Sequence, residues 1–155
     1  MNRKLFFGAM LLLSTNVLFF SSCDDDNDKP LLPTVKITEV GSGHSNDGIG
    51  YAGSDVHINA EIIAEGLIAS ITAEIHQEDG SFELHEVYTD AKGLKNTTFH
   101  KHLDIPEEAP EGEYHLHLVV KDQQGQTGMD EAHLIIKPAS ENDHDDHDDD
   151  HNHTH

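Results

Sequence analysis

Runs of strictly alternating apolar and polar residues constrain this chain more than any other feature. The clearest is Asp55 to Ala64, where Val56, Ile58, Ala60 and Ile62 share one parity and His57, Asn59 and Glu61 the other. A period of two marks a strand with one face buried, because successive side chains point to opposite faces. The pattern recurs in Thr34 to Val40, Leu67 to His76, Phe82 to Tyr88, Thr97 to Ile105, Tyr114 to Lys121 and Met129 to Lys137. On the third run, Leu67, Ala69, Ile71, Ala73 and Ile75 are expected to face inward. Turn-forming residues separate the runs at Gly41 to Gly48, Glu78 to Ser81 and Asp122 to Gly125. A helix over Glu61 to Ala73 is the rival reading, but it would set Glu61, Glu65 and His57 among the aliphatics.

Seven alternating strands with regular turns predict an all-β fold, a seven-stranded immunoglobulin-like β-sandwich. Gly112-Glu-Tyr114, entering the sixth run, is similar to the tyrosine corner of such domains. The fifth run is the weakest, because its inward parity includes Lys101.

The ends of the chain have other compositions. Met1 to Lys4 is basic, Leu5 to Phe20 is apolar, and Ser21-Ser22 precede the only cysteine, Cys23. That is the layout of a secretory signal, not of a membrane span. Phe20-Ser21-Ser22-Cys23 resembles a bacterial lipoprotein signal, which implies cleavage before Cys23 and lipidation of its thiol. The expected organisation is a signal peptide at 1–22, a lipidated acidic tether at 23–33, the sandwich at 34–138, and a disordered His/Asp-rich tail at 139–155. A lipidated Cys23 leaves no thiol for disulfides, nucleophiles or thiolate metal sites. Asp24-Asp25-Asp26-Asn27-Asp28 resembles the export signal that sends lipoproteins of Bacteroidetes-type bacteria to the cell surface. The expected location is therefore the outer membrane, lipid-anchored and exposed at the cell surface, with the periplasmic face as the alternative.

Net charge narrows the partners. The chain carries −21 at pH 7. Its one arginine, Arg3, lies inside the signal. Arginine is the usual residue for phosphate recognition, so its absence beyond the signal, together with this charge, argues strongly against nucleic acid, nucleotide or anionic-lipid partners. Tryptophan is absent and only Tyr51, Tyr88 and Tyr114 are tyrosines, which disfavours a glycan platform. A strongly negative surface rich in imidazoles attracts cations.

There are 14 histidines. Two His-x-His pairs, His100/His102 and His115/His117, flank the Pro/Glu-rich corner between the fifth and sixth runs. Residues i and i+2 of a strand share a face, so each pair offers two adjacent imidazoles, a spacing that grips one metal ion. Antiparallel order predicts that most imidazoles gather at one pole, on the outward parity. It also predicts two clusters on different sheets. The first is His57, His100 and His102, with His44 and Asp104 as possible additional ligands. The second is His76, His115 and His117, with His133 more peripheral. In the tail, His144, His147, His151, His153 and His155 are possible additional, fold-independent ligands. Neutral imidazoles suit zinc, copper or nickel, and zinc is the leading expectation.

The stretches Gly43-His44, Asp55-Val-His57, Glu74-Ile-His76, Gly93 to Pro106 and Gly112 to Leu118 resemble a lipoprotein family of Bacteroidetes without an assigned activity. Phe99-His-Lys-His-Leu-Asp-Ile-Pro106 is the most specific part of the match. The resemblance implies an Ig-like, surface-associated lipoprotein and no particular chemistry. The expected function is capture of a transition-metal ion outside the cell for uptake or buffering, with an outer-membrane uptake receptor as partner. A non-catalytic adhesion or interaction module with a pH-sensitive histidine surface is the alternative. A metal-dependent hydrolase is disfavoured, since neither a zincin motif nor G-x-S-x-G is present; the expectation is a protein that is not an enzyme.

Overall fold

The computed structural model describes residues 31–141. The expected signal peptide, Cys23 and the tail histidines lie outside the described residues. The strands are β1 (Thr34–Gly41), β2 (Ile49–Tyr51), β3 (Asp55–Ile63), β4 (Ile68–Gln77), β5 (Glu83–Tyr88), β6 (Asn96–Asp104), β7 (Gly112–Asp122) and β8 (Thr127–Lys137). A short 3-10 turn follows at Ala139–Glu141.

Two sheets form a sandwich-like pair of layers. One has the order β1-β3-β6 and the other β2-β8-β7-β4-β5. The alternating aliphatics fill the space between them. Val56, Ile58 and Ala60 are completely buried on β3, as are Tyr114, Leu116, Leu118 and Val120 on β7. Leu134 and Ile136 close the core from β8. Tyr114 donates a 2.6 Å hydrogen bond from its hydroxyl to the Pro110 carbonyl, which satisfies a polar atom brought into the core with its ring.

Three details depart from the expectations. First, there are eight strands, not seven. Ile49–Tyr51 pairs in parallel with Ile135–Lys137 at the sheet edge. This segment is too short to show alternation, and its centre is glycine. A Cβ at Gly50 would sit 2.6 Å from Val56 Cγ2 and 2.8 Å from the Ile136 side chain, so only glycine lets β2 lie this close to the core. Second, Leu67 and Ala69 are not core residues. A register shift between Ile68 and Ser70 makes Ile68 the buried residue, and Leu67 takes a positive φ of 65° in the preceding turn. Third, Lys101 keeps the inward parity without entering the core. β6 is an edge strand, so the Lys101 ammonium lies over the Tyr88 ring, 5.5 Å from its centroid, and reaches Asp90 Oδ2 at 2.9 Å.

The crossover that matters most for the site is Ile105 to Glu111. It carries the chain from β6 in one sheet to β7 in the other. The two His-x-His pairs therefore lie on the outer faces of different sheets.

Candidate functional site

The outer face of β3 begins the site. His57 and Asn59 alternate with the buried Val56, Ile58 and Ala60 and so point away from the core. The register sets His57 opposite His102 and Asn59 opposite His100 on β6. Three imidazoles thus share one patch by strand pairing alone.

β1 completes the patch through an irregularity. Its pairing with β3 runs Ile37 to Ala60 and then Glu39 to Asn59, so Thr38 is an extra residue. In unbroken alternation from Ile37, Glu39 would face inward. The bulge moves Glu39 to the outer face and turns Val40 into the core. Glu39 Oε2 accepts hydrogen bonds from Asn59 Nδ2 at 2.7 Å and from His57 Nε2 at 3.3 Å. The Asn59 bond first, then the His57 bond, holds the Glu39 carboxyl below its ordinary range.

The segment after β1 folds back as a cover. Asp47 organises it by accepting from Ile49 N at 3.0 Å and from the Ser42 backbone and hydroxyl at 3.3 and 3.2 Å. Burial would raise the Asp47 carboxyl, but the bonds from Ile49, Ser45 and Ser42 outweigh it and leave it below the usual value. Asn46 ties the segment to β1, its Oδ1 accepting from Val40 N at 3.0 Å. The result sets the His44 ring 5.2 Å from that of His57 and 5.6 Å from that of His102. Beneath this cover, within the sheet's outer face, His57 is only 1% exposed.

Four rings now surround one point. Their centroid separations are 5.2, 6.3 and 5.6 Å from His44 to His57, His100 and His102; 4.8 and 5.3 Å from His57 to His100 and His102; and 5.8 Å between the last two. Imidazole nitrogens about 2.0–2.1 Å from a tetrahedral zinc would put the centroids about 5 Å apart. His44, His57 and His102 each bring one ring nitrogen within 4.8 Å of the others, while His100 stands beside them.

Protonation of three rings follows from their partners. Asn59 points Nδ2 at Glu39, so its Oδ1 accepts from His100 Nδ1–H at 3.1 Å. His102 Nδ1–H donates to Asp55 Oδ2 at 3.1 Å. His57 Nε2–H donates to Glu39. In their neutral forms, His57 keeps a free lone pair on Nδ1, and His100 and His102 keep theirs on Nε2. Such outer partners orient metal-ligating histidines and raise their basicity. His57 Nδ1 is buried and has no hydrogen-bond partner.

Asp104 is not among the residues whose ligand atoms converge here. It pairs across the strands with Asp55 and lines a hollow with His102, Leu84, Glu86 and Tyr88.

The outer face of the other sheet carries a second array. One rung runs His133, His115, His76 and Glu83 across β8, β7, β4 and β5, and the next runs Glu131, His117, Glu74 and His85. The His76 ring lies 5.5 Å from His115 and 4.7 Å from His117, and His133 lies 4.7 Å from His115. Glu131 accepts from His115 Nδ1 at 2.6 Å and meets His117 Nε2 at 3.3 Å. The His115 bond, with the His115 and His117 charges behind it, holds the Glu131 carboxyl down.

Sequence reasoning left out Glu39, Asp55, Asn59, Glu131 and His85. Asp55 and Asn59 share the parity of His57, so that signal was available. Glu39 had none, because its face depends on a bulge.

The molecule is thus a two-sheet β-protein with an imidazole cluster on each outer face, one of them covered. By sequence it belongs to the family described as Domain of unknown function (DUF4625), whose model matches residues 21–137. No curated protein matches the chain. Among solved structures it is similar to a DUF4466 family protein from Parabacteroides merdae, with 10% identity and a TM-score of 0.47 over 66% of this chain and 44% of that one. It is also similar to the sporulation control protein Spo0M of Bacillus subtilis, with 11% identity and a TM-score of 0.44 over 68% of this chain and 49% of that one. A Niemann-Pick type C2 protein from the Japanese carpenter ant shares 7% identity at a TM-score of 0.48, over 70% of this chain and 95% of that one. The chain spans about half the length of the first two.

Proposed function

We propose that this domain binds one divalent transition-metal ion, zinc foremost, through His44, His57, His100 and His102. One observation carries the reading: the buried His57 Nδ1 lacks a partner, in a ring whose centroid lies 4.8 to 5.3 Å from those of three other imidazoles. A buried lone pair left unmet costs free energy, and an ion beside it removes that cost. The ligand set is all nitrogen, which suits zinc and also copper or nickel. Glu39 and Asp55 stand behind the imidazoles as the two negative charges that a divalent ion needs. Four imidazoles fill a tetrahedral ion and leave no open position for a substrate, so the role is capture, not catalysis.

The domain is an Ig-like sandwich in this reading, supported by its strand order and the Tyr114–Pro110 bond. The full chain is a lipoprotein anchored through Cys23 at the outer membrane and exposed outside the cell. There the acidic surface concentrates cations, the tail histidines buffer them, and an uptake receptor receives the ion.

Zinc calorimetry on the full chain tests the metal site. One tight binding event is expected in the wild type, and its loss is expected in the His57→Ala/His102→Ala double variant. An unchanged isotherm in that variant rules out this site.

A further inference from the structure

The array on the five-stranded sheet differs from the covered site in kind. No segment among the described residues folds over it as Ser42 to Gly48 folds over His57. His115 and His117 are 22% and 23% exposed in their side chains, and Glu131 44%, against 1% for His57. The two rungs alternate imidazoles with carboxylates and carry no lysine or arginine. Glu78 adds a further carboxylate 3.9 Å from His115 Nε2. With neutral imidazoles these two rungs hold the carboxylates of Glu74, Glu83 and Glu131 and no cation; Lys121 and Lys137 share the outward parity of β7 and β8 but stand in other rungs.

His115, Glu131 and His133 each bring one ligand atom within 4.8 Å of the others. Their convergence is a matter of register. His115 pairs directly with His133, and Glu131 lies two residues from His133 on the same face of β8. The apolar residues between them, Leu116 and Ala132, turn toward the other sheet. We propose that His115, Glu131 and His133 form a second divalent-metal site, open and rapidly exchanging, on the outer face of the five-stranded sheet. A set of two imidazoles and one carboxylate leaves coordination positions for water or for ligands of another molecule. The covered site can enclose its ion with four protein ligands, whereas this one holds an ion that remains accessible. The two clusters lie on outward faces of opposite layers, with the core between them, so they load independently.

The test is a zinc titration of the full chain followed through the ring-nitrogen resonances of assigned histidines. Zinc alone is the probe, and site-resolved signals separate this array from every other histidine. The His115 and His133 signals should move continuously with added zinc, as fast exchange requires, and with a weaker midpoint than those of His57 and His102. Glu131→Gln should weaken the His115/His133 midpoint about tenfold, roughly the loss of one charged ligand interaction, and leave the His57/His102 midpoint unchanged. His133→Ala should abolish the His115 response. Signals of His115 and His133 that stay still up to millimolar zinc would overturn the second site, as would an identical response in Glu131→Gln. If the His57 and His102 signals stay still while these move, the covered site fails and this one stands.

Discussion

A neutral imidazole has one N–H donor and one lone pair, and His57 uses only the donor. In the metal-free protein its buried Nδ1 lone pair costs about 1–3 kcal/mol, the penalty for an unsatisfied buried polar atom. His57→Leu removes that atom while keeping a buried, similarly sized side chain. The metal-free variant is expected to be as stable as the wild type or about 1 kcal/mol more stable in urea denaturation. It should show no stabilisation when zinc is added. A loss of several kcal/mol in the metal-free state would mean that His57 serves the fold and not a ligand. That His57 faces outward was legible from its parity with Asn59 and Glu61. Its burial was not, because burial depends on what another part of the chain lays over it.

The cover is a property of the β1–β2 connection and its glycine. Gly41 pairs with His57 across β1 and β3. A Cβ at Gly41 would lie 2.7 Å from the Ser45 carbonyl oxygen and 2.9 Å from Asp47 N. These are backbone atoms and cannot swing away, so Gly41→Ala should push the segment off the sheet and carry His44 with it. Zinc affinity is expected to fall at least tenfold while far-ultraviolet circular dichroism keeps its strand signal; unchanged affinity would show that His44 is not needed. The same segment should respond to acid through Asp47. Its folded pKa lies below its ordinary value of 3.8, so the stabilisation is complete above that value and is lost as pH falls through the folded one. Asp47→Asn should therefore be less stable than wild type near pH 6, and in denaturation measurements the gap should close only as pH falls below 3.8 and through the folded pKa. A gap of constant size would remove Asp47 as the organiser of the cover.

For the whole molecule, metal binding and folding stability are linked. An ion that binds only the folded state stabilises it by about 2.7 kcal/mol at a hundred times its dissociation constant. For a domain of this size that raises the melting temperature by roughly 10–20 °C. Ligands that bind equally well in the unfolded chain contribute nothing to this shift, so it reports the folded sites. Zinc should raise the melting temperature of the full chain, a chelator should reverse the rise, and His57→Ala/His102→Ala should remove most of it. An equal rise in that variant would place the stabilising ion elsewhere.

The amino-acid sequence by itself determined the all-β class, most of the core and the outward direction of the histidines. All three follow from a period of two, which is a local property of the chain. It also separated His100/His102 from His115/His117, because the corner at Pro106 to Glu111 carries the chain between layers. Tertiary structure alone decided the rest. The extra residue at Thr38 turns Glu39 outward, the register shift near Ile68 replaces Leu67 in the core, and Lys101 escapes burial because β6 is an edge. The fold-back past Gly41 sets His44 over His57. Each depends on non-local pairing or on the space left by a distant side chain, and neither leaves a trace in residue spacing.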